Sequence, residues 1–207
     1  MKSQYRVVVI GGGVVGSSVL YHLAKMGWKD VVMLERRRLA SGSSWHAAGG
    51  VHTLNADPNM AALQAYTIDL LPKIEQESGQ NIGFHMTGGL TLAGTPERWE
   101  WLQSNYRIFQ SIGISDCELL TPEEAQKRCP IMSVDGVLGA MWADREGYID
   151  TTGTVQAYAT AAKKRGAEYY EDVKVDSLRQ TPDGWIVRTT KGDIKCEHVV
   201  NAAGLWA

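Results

Sequence analysis

The chain has 207 residues, 44% of them hydrophobic and 21% charged, and a formal net charge of −2. This is ordinary globular composition, enough for one large domain or two small ones. It argues against nucleic acid as a partner, because no Lys/Arg run could follow a phosphate backbone; it also argues against a membrane span, because the longest nearly apolar run, residues 7–20, is broken by glycines and falls short of the ~20 residues a span needs.

Residues 6–10, RVVVI, are a β-branched run ending at glycine, the pattern of a strand buried on both faces. GGGVVG follows, and residues 14–26 read as a helix closed by Gly27. Residues 31–34, VVML, read as a second buried strand, ending at Glu35. Strand, helix and strand in so short a span predict a parallel pair. Residues 41–50, SGSSWHAAGG, form a loop of Gly, Ala and Ser around two large side chains, Trp45 and His46.

Caps mark the next helices. Asp57-Pro58 predicts one to about 77, Thr95-Pro96 one to about 112, and Thr121-Pro122-Glu123-Glu124 a short capping-box helix to 128. Residues 83–86, 89–93, 137–144 and 147–149 read as strands, and residues 151–165 as a helix ended by Gly166. From there the pattern is β: 168–170, 174–180, 185–189 and 194–200, with hairpin turns at Pro182-Asp183-Gly184 and Lys191-Gly192-Asp193. Residues 198–200 read as a buried strand and Ala202-Ala203-Gly204 as the tight turn after it. Chain ends usually lie loose at the surface, so this ending predicts a longer protein. Cys117, Cys129 and Cys196 are far apart and form no CxxC, so neither a metal site nor a disulfide framework is expected. They read as small buried hydrophobes in a reducing compartment. The first apolar run reads as a strand and not as a signal, which points to the cytoplasm, or to the mitochondrial matrix if a transit peptide has been removed.

Gly11-Gly12-Gly13-Val14-Val15-Gly16 satisfies GxGxxG in its required setting, strand before and helix after. Gly11 permits the tight turn, Gly13 the close approach of a pyrophosphate, and Gly16 the packing of helix on sheet. The helix N-terminus, with Val14 and Val15 in its first turn, then aims free N–H groups at the phosphates. Glu35 follows about 20 residues on, where a carboxylate receives ribose hydroxyls and disfavours NADP. Arg36 is placed to edge the adenosine, while Arg37 and Arg38 read equally well as a solvated basic turn. Element order selects FAD over NAD. An NAD domain continues with another α-β unit after the second strand; here a loop and a long insertion intervene, and the chain rejoins a nucleotide-binding sheet only near 198–204.

The stretch RVVVIGGGVVGSSVLYHLAKMGWKDVVMLERRRLASGSSWHAAGG resembles the amino-terminal segment of the dimethylglycine dehydrogenase and sarcosine dehydrogenase family, flavoproteins of the D-amino-acid-oxidase type. The resemblance continues through ESGQNIGFHMTGGLTLAGTPER, GYID and VVNAAGLWA; GSSWHAAG is its most specific part. It implies an α/β fold with an FAD-binding Rossmann-like domain of the glutathione-reductase/D-amino-acid-oxidase type. Residues 1–50 and 150–207 would supply that domain, incompletely. Residues 51–149 would begin an inserted α+β substrate domain with an antiparallel or mixed sheet. It also implies that His46 is bonded covalently to the 8α-methyl of FAD. That is chemically coherent, since neutral imidazole is a nucleophile and small neighbours let the loop lie against a flavin. By the same resemblance Gly42, Ser43, Ser44, Trp45, Ala47, Ala48, Gly49 and Gly50 line the pyrophosphate and flavin. Val175 touches adenine, and Trp206 makes a contact near the closing turn. Gly50 stands where the family has leucine.

The implied activity is oxidative N-demethylation of a small N-methylated glycine, dimethylglycine or sarcosine. The neutral amine would give hydride to the flavin, and electrons would pass to an electron-transferring flavoprotein or to oxygen. The iminium would hydrolyse to formaldehyde or pass to tetrahydrofolate in a further, carboxy-terminal part. The substrate's carboxylate clamp and base are expected beyond Ala207, so His46 is the one catalytic side chain named, and this chain alone is expected to hold FAD poorly. Two alternatives stay open: an FAD oxidoreductase acting on another amine or a hydroxy acid, and a non-catalytic regulatory flavoprotein subunit. His52 is within reach of the flavin face or is a loop histidine. His22 and His198 read as structural, His85 and Met86 carry no clear signal, Trp99 and Trp101 read as packing anchors, and Glu123 and Glu124 belong to a helix first turn.

Overall fold

The computed structural model describes all of residues 1–207. In chain order the elements are β1 (Gln4–Ile10), α1 (Val14–Lys25), β2 (Val31–Leu34), a 3-10 turn (Ser43–His46), β3 (Gly50–Val51), α2 (Pro58–Ser78), β4 (Gly89–Ala93), α3 (Pro96–Ser111), β5 (Cys117–Leu120), α4 (Pro122–Arg128), β6 (Gly139–Ala143), β7 (Gly147–Tyr148), α5 (Thr151–Lys164), β8 (Glu168–Tyr170), β9 (Val175–Thr181), β10 (Gly184–Thr189), β11 (Gly192–Asn201) and a closing 3-10 turn (Gly204–Trp206). They fall into two compact units, one of Met1–Gly49, Leu71–Gly83 and Asp150–Ala207, the other of Gly50–Leu70 and Phe84–Ile149.

The first unit is built on a six-stranded sheet in the order β8-β2-β1-β11-β10-β9. The first four strands are parallel, with β1 between β2 and β11, and the β9–β10–β11 part is antiparallel. All four residues of β2 are buried, as expected for a strand covered on both faces. Val8, Val32, Leu34, Val173, Val187 and Ile194 form one core cluster. Helix α1 buries Gly16, Ser17, Leu20, Tyr21 and Ala24, a spacing of three and four that keeps one face inward. It packs on α5, where the Tyr21 and Tyr158 rings lie 5.7 Å apart.

The end of α2 is tied to this layer through Glu77. Its Oε2 accepts from Tyr21 Oη at 3.1 Å and from Arg165 Nη2 at 2.9 Å. The Arg165 guanidinium holds the Glu77 carboxyl below its ordinary value of 4.5. A depressed carboxylate stabilises the fold fully above that value, and the contribution fades as pH falls through the folded-state pKa. Glu77→Gln is expected to lower stability by about 0.5–1 kcal/mol at neutral pH, the pair being partly exposed. The difference should vanish in acid, which thermal melts across pH would show.

The second unit has an antiparallel sheet in the order β4-β6-β5 and a two-stranded ribbon of β3 and β7. Its core holds Ala93, Leu102, Phe109, Cys117 and Met141. Trp99 covers Gly139, where a β-carbon would come within 2.6 Å of the indole. Thr95 caps α3, and Thr121 with Glu124 forms the expected capping box on α4.

Some expectations change. Residues 83–86 make only a single bridge, His85 to Tyr148, because Gly83 and Gly88 turn the chain out of extended geometry with φ of +56° and +74°. β5 was invisible in the sequence: CELL is short and only partly alternating. Trp101 is half exposed and stacks under Arg98, 3.9 Å from the guanidinium carbon, so it anchors no core. Residues 198–200 are exposed or half-buried; the buried positions of β11 are Ile194 and Cys196. The three cysteines are free, and no group of His, Cys, Asp and Glu is arranged for a metal. No helix is long and apolar enough to cross a membrane.

Candidate cofactor-binding site

The glycine turn joins β1 to α1, and tertiary neighbours dictate its residues. Gly11 has φ of +106° and donates its N–H to Leu34 O at 2.9 Å. A β-carbon there would collide with the Ala202 carbonyl, 2.8 Å from its carbon atom. One at Gly16 would overlap the Gly11 carbonyl oxygen, so Gly16 sits behind the turn and sets how closely α1 meets it. Gly12 is a position the motif leaves open, yet a β-carbon on it would lie 2.8 Å from both Glu35 Cβ and Leu39 Cδ2.

Gly13 is the N-cap of α1 and offers no side-chain cap. Val14 N instead donates to Ser44 Oγ at 3.0 Å, and Val14 and Val15 are exposed despite being apolar. With Val14 N held by Ser44 Oγ, the rest of this exposed first turn is suited to anionic oxygens. Glu35 lies at the end of β2, 9% exposed. Its Oε2 accepts from Gly12 N at 2.7 Å and its Oε1 from Arg37 N at 2.8 Å. Each oxygen keeps a lone pair for a further donor. The carboxylate therefore also staples the glycine turn to the segment after β2, a job that spacing alone does not reveal.

A groove of about 590 Å³ runs along this turn. It brings together Gly11, Gly13, Val14, Val15, Glu35, Arg36, Gly42, Ser43, Ser44, Val175 and Trp206 from the sequence-predicted set. Arg37, Lys174, Asn201 and Ala203 also line it. Asn201 Oδ1 accepts from Ala203 N at 3.2 Å and so shapes the closing turn; an Asn at a strand end before two small residues was the available signal. Arg36 lies over the Trp206 indole at 3.9 Å, pairing the end of β2 with the last turn of the chain. The groove does not include Gly16, Trp45, His46, Ala47, Ala48, Gly49 or Gly50. His46 is exposed in the 3-10 turn, its ring 3.9 Å from that of Trp45 and tilted by 38°. Gly49 has φ of +81° and is buried.

These residues fit an adenine dinucleotide. The open helix start and the bare backbone of Gly13 suit a pyrophosphate, with Arg36, Arg37 and Lys174 supplying positive charge along the groove. Glu35 is the acid at the strand end, and the apolar wall includes Val173, Val175 and Leu178.

Fold and groove together define a dinucleotide-binding α/β protein, its glycine turn set on the parallel part of a mixed sheet. Residues 6–207 match the family described as DAO, FAD dependent oxidoreductase, and the chain belongs to it. It is 38% identical over 208 residues to dimethylglycine dehydrogenase, mitochondrial, of Homo sapiens, with 100% of this chain and 24% of that protein covered. It is 36% identical over 214 residues to sarcosine dehydrogenase, mitochondrial, of Homo sapiens, with 100% and 23% covered. The L-proline dehydrogenase structure from P. horikoshii superposes with a TM-score of 0.92 at 31% identity, covering 100% of this chain and 54% of that one. The chain thus spans about a quarter of the length of the curated relatives it matches.

Proposed function

We propose that the protein carries out FAD-dependent oxidative N-demethylation of a small N-methylated glycine, dimethylglycine or sarcosine. The observation that carries this reading is the joint presence of the groove over the glycine turn and the SGSSWHAAGG loop, in a chain similar along its whole length to dehydrogenases of those two compounds. Bound FAD would supply a two-electron acceptor for hydride from the carbon beside the amine nitrogen. The α1 start, Gly13 and Ser44 would hold the pyrophosphate; Glu35, Arg36, Val175 and Trp206 would hold the adenosine end. His46 would fix the cofactor through a covalent bond, with Trp45, Ala47, Ala48, Gly49 and Gly50 leaving it room. Residues 1–50 and 150–207 would serve the cofactor and 51–149 the substrate. Electrons would leave to an electron-transferring flavoprotein or to oxygen, and the released one-carbon unit to water or to tetrahydrofolate held elsewhere in the full protein.

The test uses the full-length protein. After acid precipitation the yellow colour is expected to stay with the polypeptide and, after digestion, with the peptide containing His46. His46→Ala should release it completely. Colour that washes out of the wild type removes the covalent bond from the reading. Wild-type flavin that neither dimethylglycine nor sarcosine bleaches without oxygen removes the activity.

A further inference from the structure

The second unit holds a cavity of about 480 Å³ lined entirely by its own residues. That volume is in the range of small-molecule pockets. One wall is the first half of α2, where Pro58, Ala61, Ala62 and Ala65 recur at the three- and four-residue spacing of one helix face. Their short side chains leave the space open. Ile112 and Ile114, in the loop from α3 to β5, add apolar surface. Thr53 also lines the cavity. It is 4% exposed, and its Oγ1 is buried without a hydrogen-bond partner. An unpaired buried hydroxyl is costly, and native proteins leave few of them.

The remaining polar groups decide the sign of a ligand. The guanidinium of Arg145 lines the cavity but is engaged, its Nη2 donating to Asp69 Oδ1 at 2.6 Å. The start of α2 is engaged as well. Asp57 Oδ1 accepts from Asn59 N and Met60 N, both at 2.9 Å, and Pro58 has no N–H. An anion would have to displace a carboxylate from either place. Asp116 is different. Its carboxylate is half-buried, lines the cavity and accepts no hydrogen bond; its one ion pair is with Arg145 Nε, 3.9 Å away. An ionised carboxylate only accepts, and a hydroxyl can accept. The cavity therefore suits a ligand that donates a hydrogen bond, carries positive charge and is otherwise alkyl. A trialkylammonium ion has one N–H, one charge and apolar arms.

We infer that this cavity binds a small alkylated ammonium ion. Its N–H is donated to Thr53 Oγ1, its charge is offset by Asp116, and its alkyl groups pack on the α2 alanines. The inference concerns the second unit alone and does not depend on the redox reading above.

The test is a saturation-transfer NMR titration of the full-length protein with triethylammonium chloride at fixed ionic strength. The wild type is expected to bind with a Kd on the order of 1 mM. Thr53→Val keeps the shape and removes the hydroxyl, and should weaken binding about tenfold. Its thermal melt should be no lower than that of the wild type, since an unpaired polar atom is lost, so weaker binding cannot be unfolding. Asp116→Asn should also cost about tenfold. Ala62→Leu, at an exposed helix position, should fill the cavity and abolish binding. Tetraethylammonium, which has no N–H, should bind about tenfold more weakly than triethylammonium, and the isobutyrate anion should not bind. No saturation transfer to triethylammonium in the wild type overturns the inference. So does binding that survives Thr53→Val and Ala62→Leu unchanged, or isobutyrate binding as tightly as the cation.

Discussion

Gly11→Ala is expected to destabilise the protein by about 2–5 kcal/mol and to abolish retention of FAD. Two costs add. Alanine at a φ of +106° leaves its favoured conformations, worth about 1–2 kcal/mol. Its methyl must also displace the Ala202 carbonyl, which is backbone and part of the parallel β1–β11 junction, through the Ala202 N to Ile10 O bond of 2.8 Å. Overpacking of this kind costs about 1–3 kcal/mol. Gly27→Ala separates the two costs. Gly27 has φ of +88°, and a β-carbon added there would meet nothing within 4 Å, so it should show the backbone cost alone. Denaturant midpoints and FAD fluorescence titrations of both variants measure this. Equal losses at the two positions would mean the Ala202 collision relaxes freely.

Glu35→Ala carries the second large effect, about 3 kcal/mol of stability and at least a tenfold loss of FAD affinity. The variant strands the buried Gly12 N–H and frees Arg37 N, both now satisfied by an ionised carboxylate. Hydrogen bonds to charged groups contribute roughly 1.5–3 kcal/mol each, and a buried donor left alone is costly. Glu35→Gln keeps one acceptor but turns an amide donor toward a second N–H, so it should fall between alanine and wild type. Stability curves of the apoprotein distinguish the stapling role from cofactor contact. If apoprotein stability is unchanged while FAD affinity falls, Glu35 acts on the cofactor alone.

Much of the fold was legible because its signals are local. The β1–α1–β2 unit announces itself by β-branched runs, glycine punctuation and helical spacing, and the predicted parallel pairing of β1 with β2 is present. Caps located α2, α3 and α4 within a residue or two at their starts. What failed was short or needed a neighbour. β5 is four residues long, and Trp101 sits on a helix whose inward face only packing defines. The groove was partly legible: glycines, Glu35 and Ser44 stand close in sequence, while Val175 and Trp206 were placed by resemblance and line the same groove.

The sequence by itself determined the class of turn, the acid after it, and the small-residue loop with His46 at its centre, because each depends on residues within a few positions of one another. Only the tertiary structure decided why Gly12 must be bare, which backbone Gly11 touches, and that Thr53 and Asp116 line one cavity. Those facts arise where strands and turns distant in the chain are brought into register. No local pattern encodes a contact whose second partner arrives along a different strand.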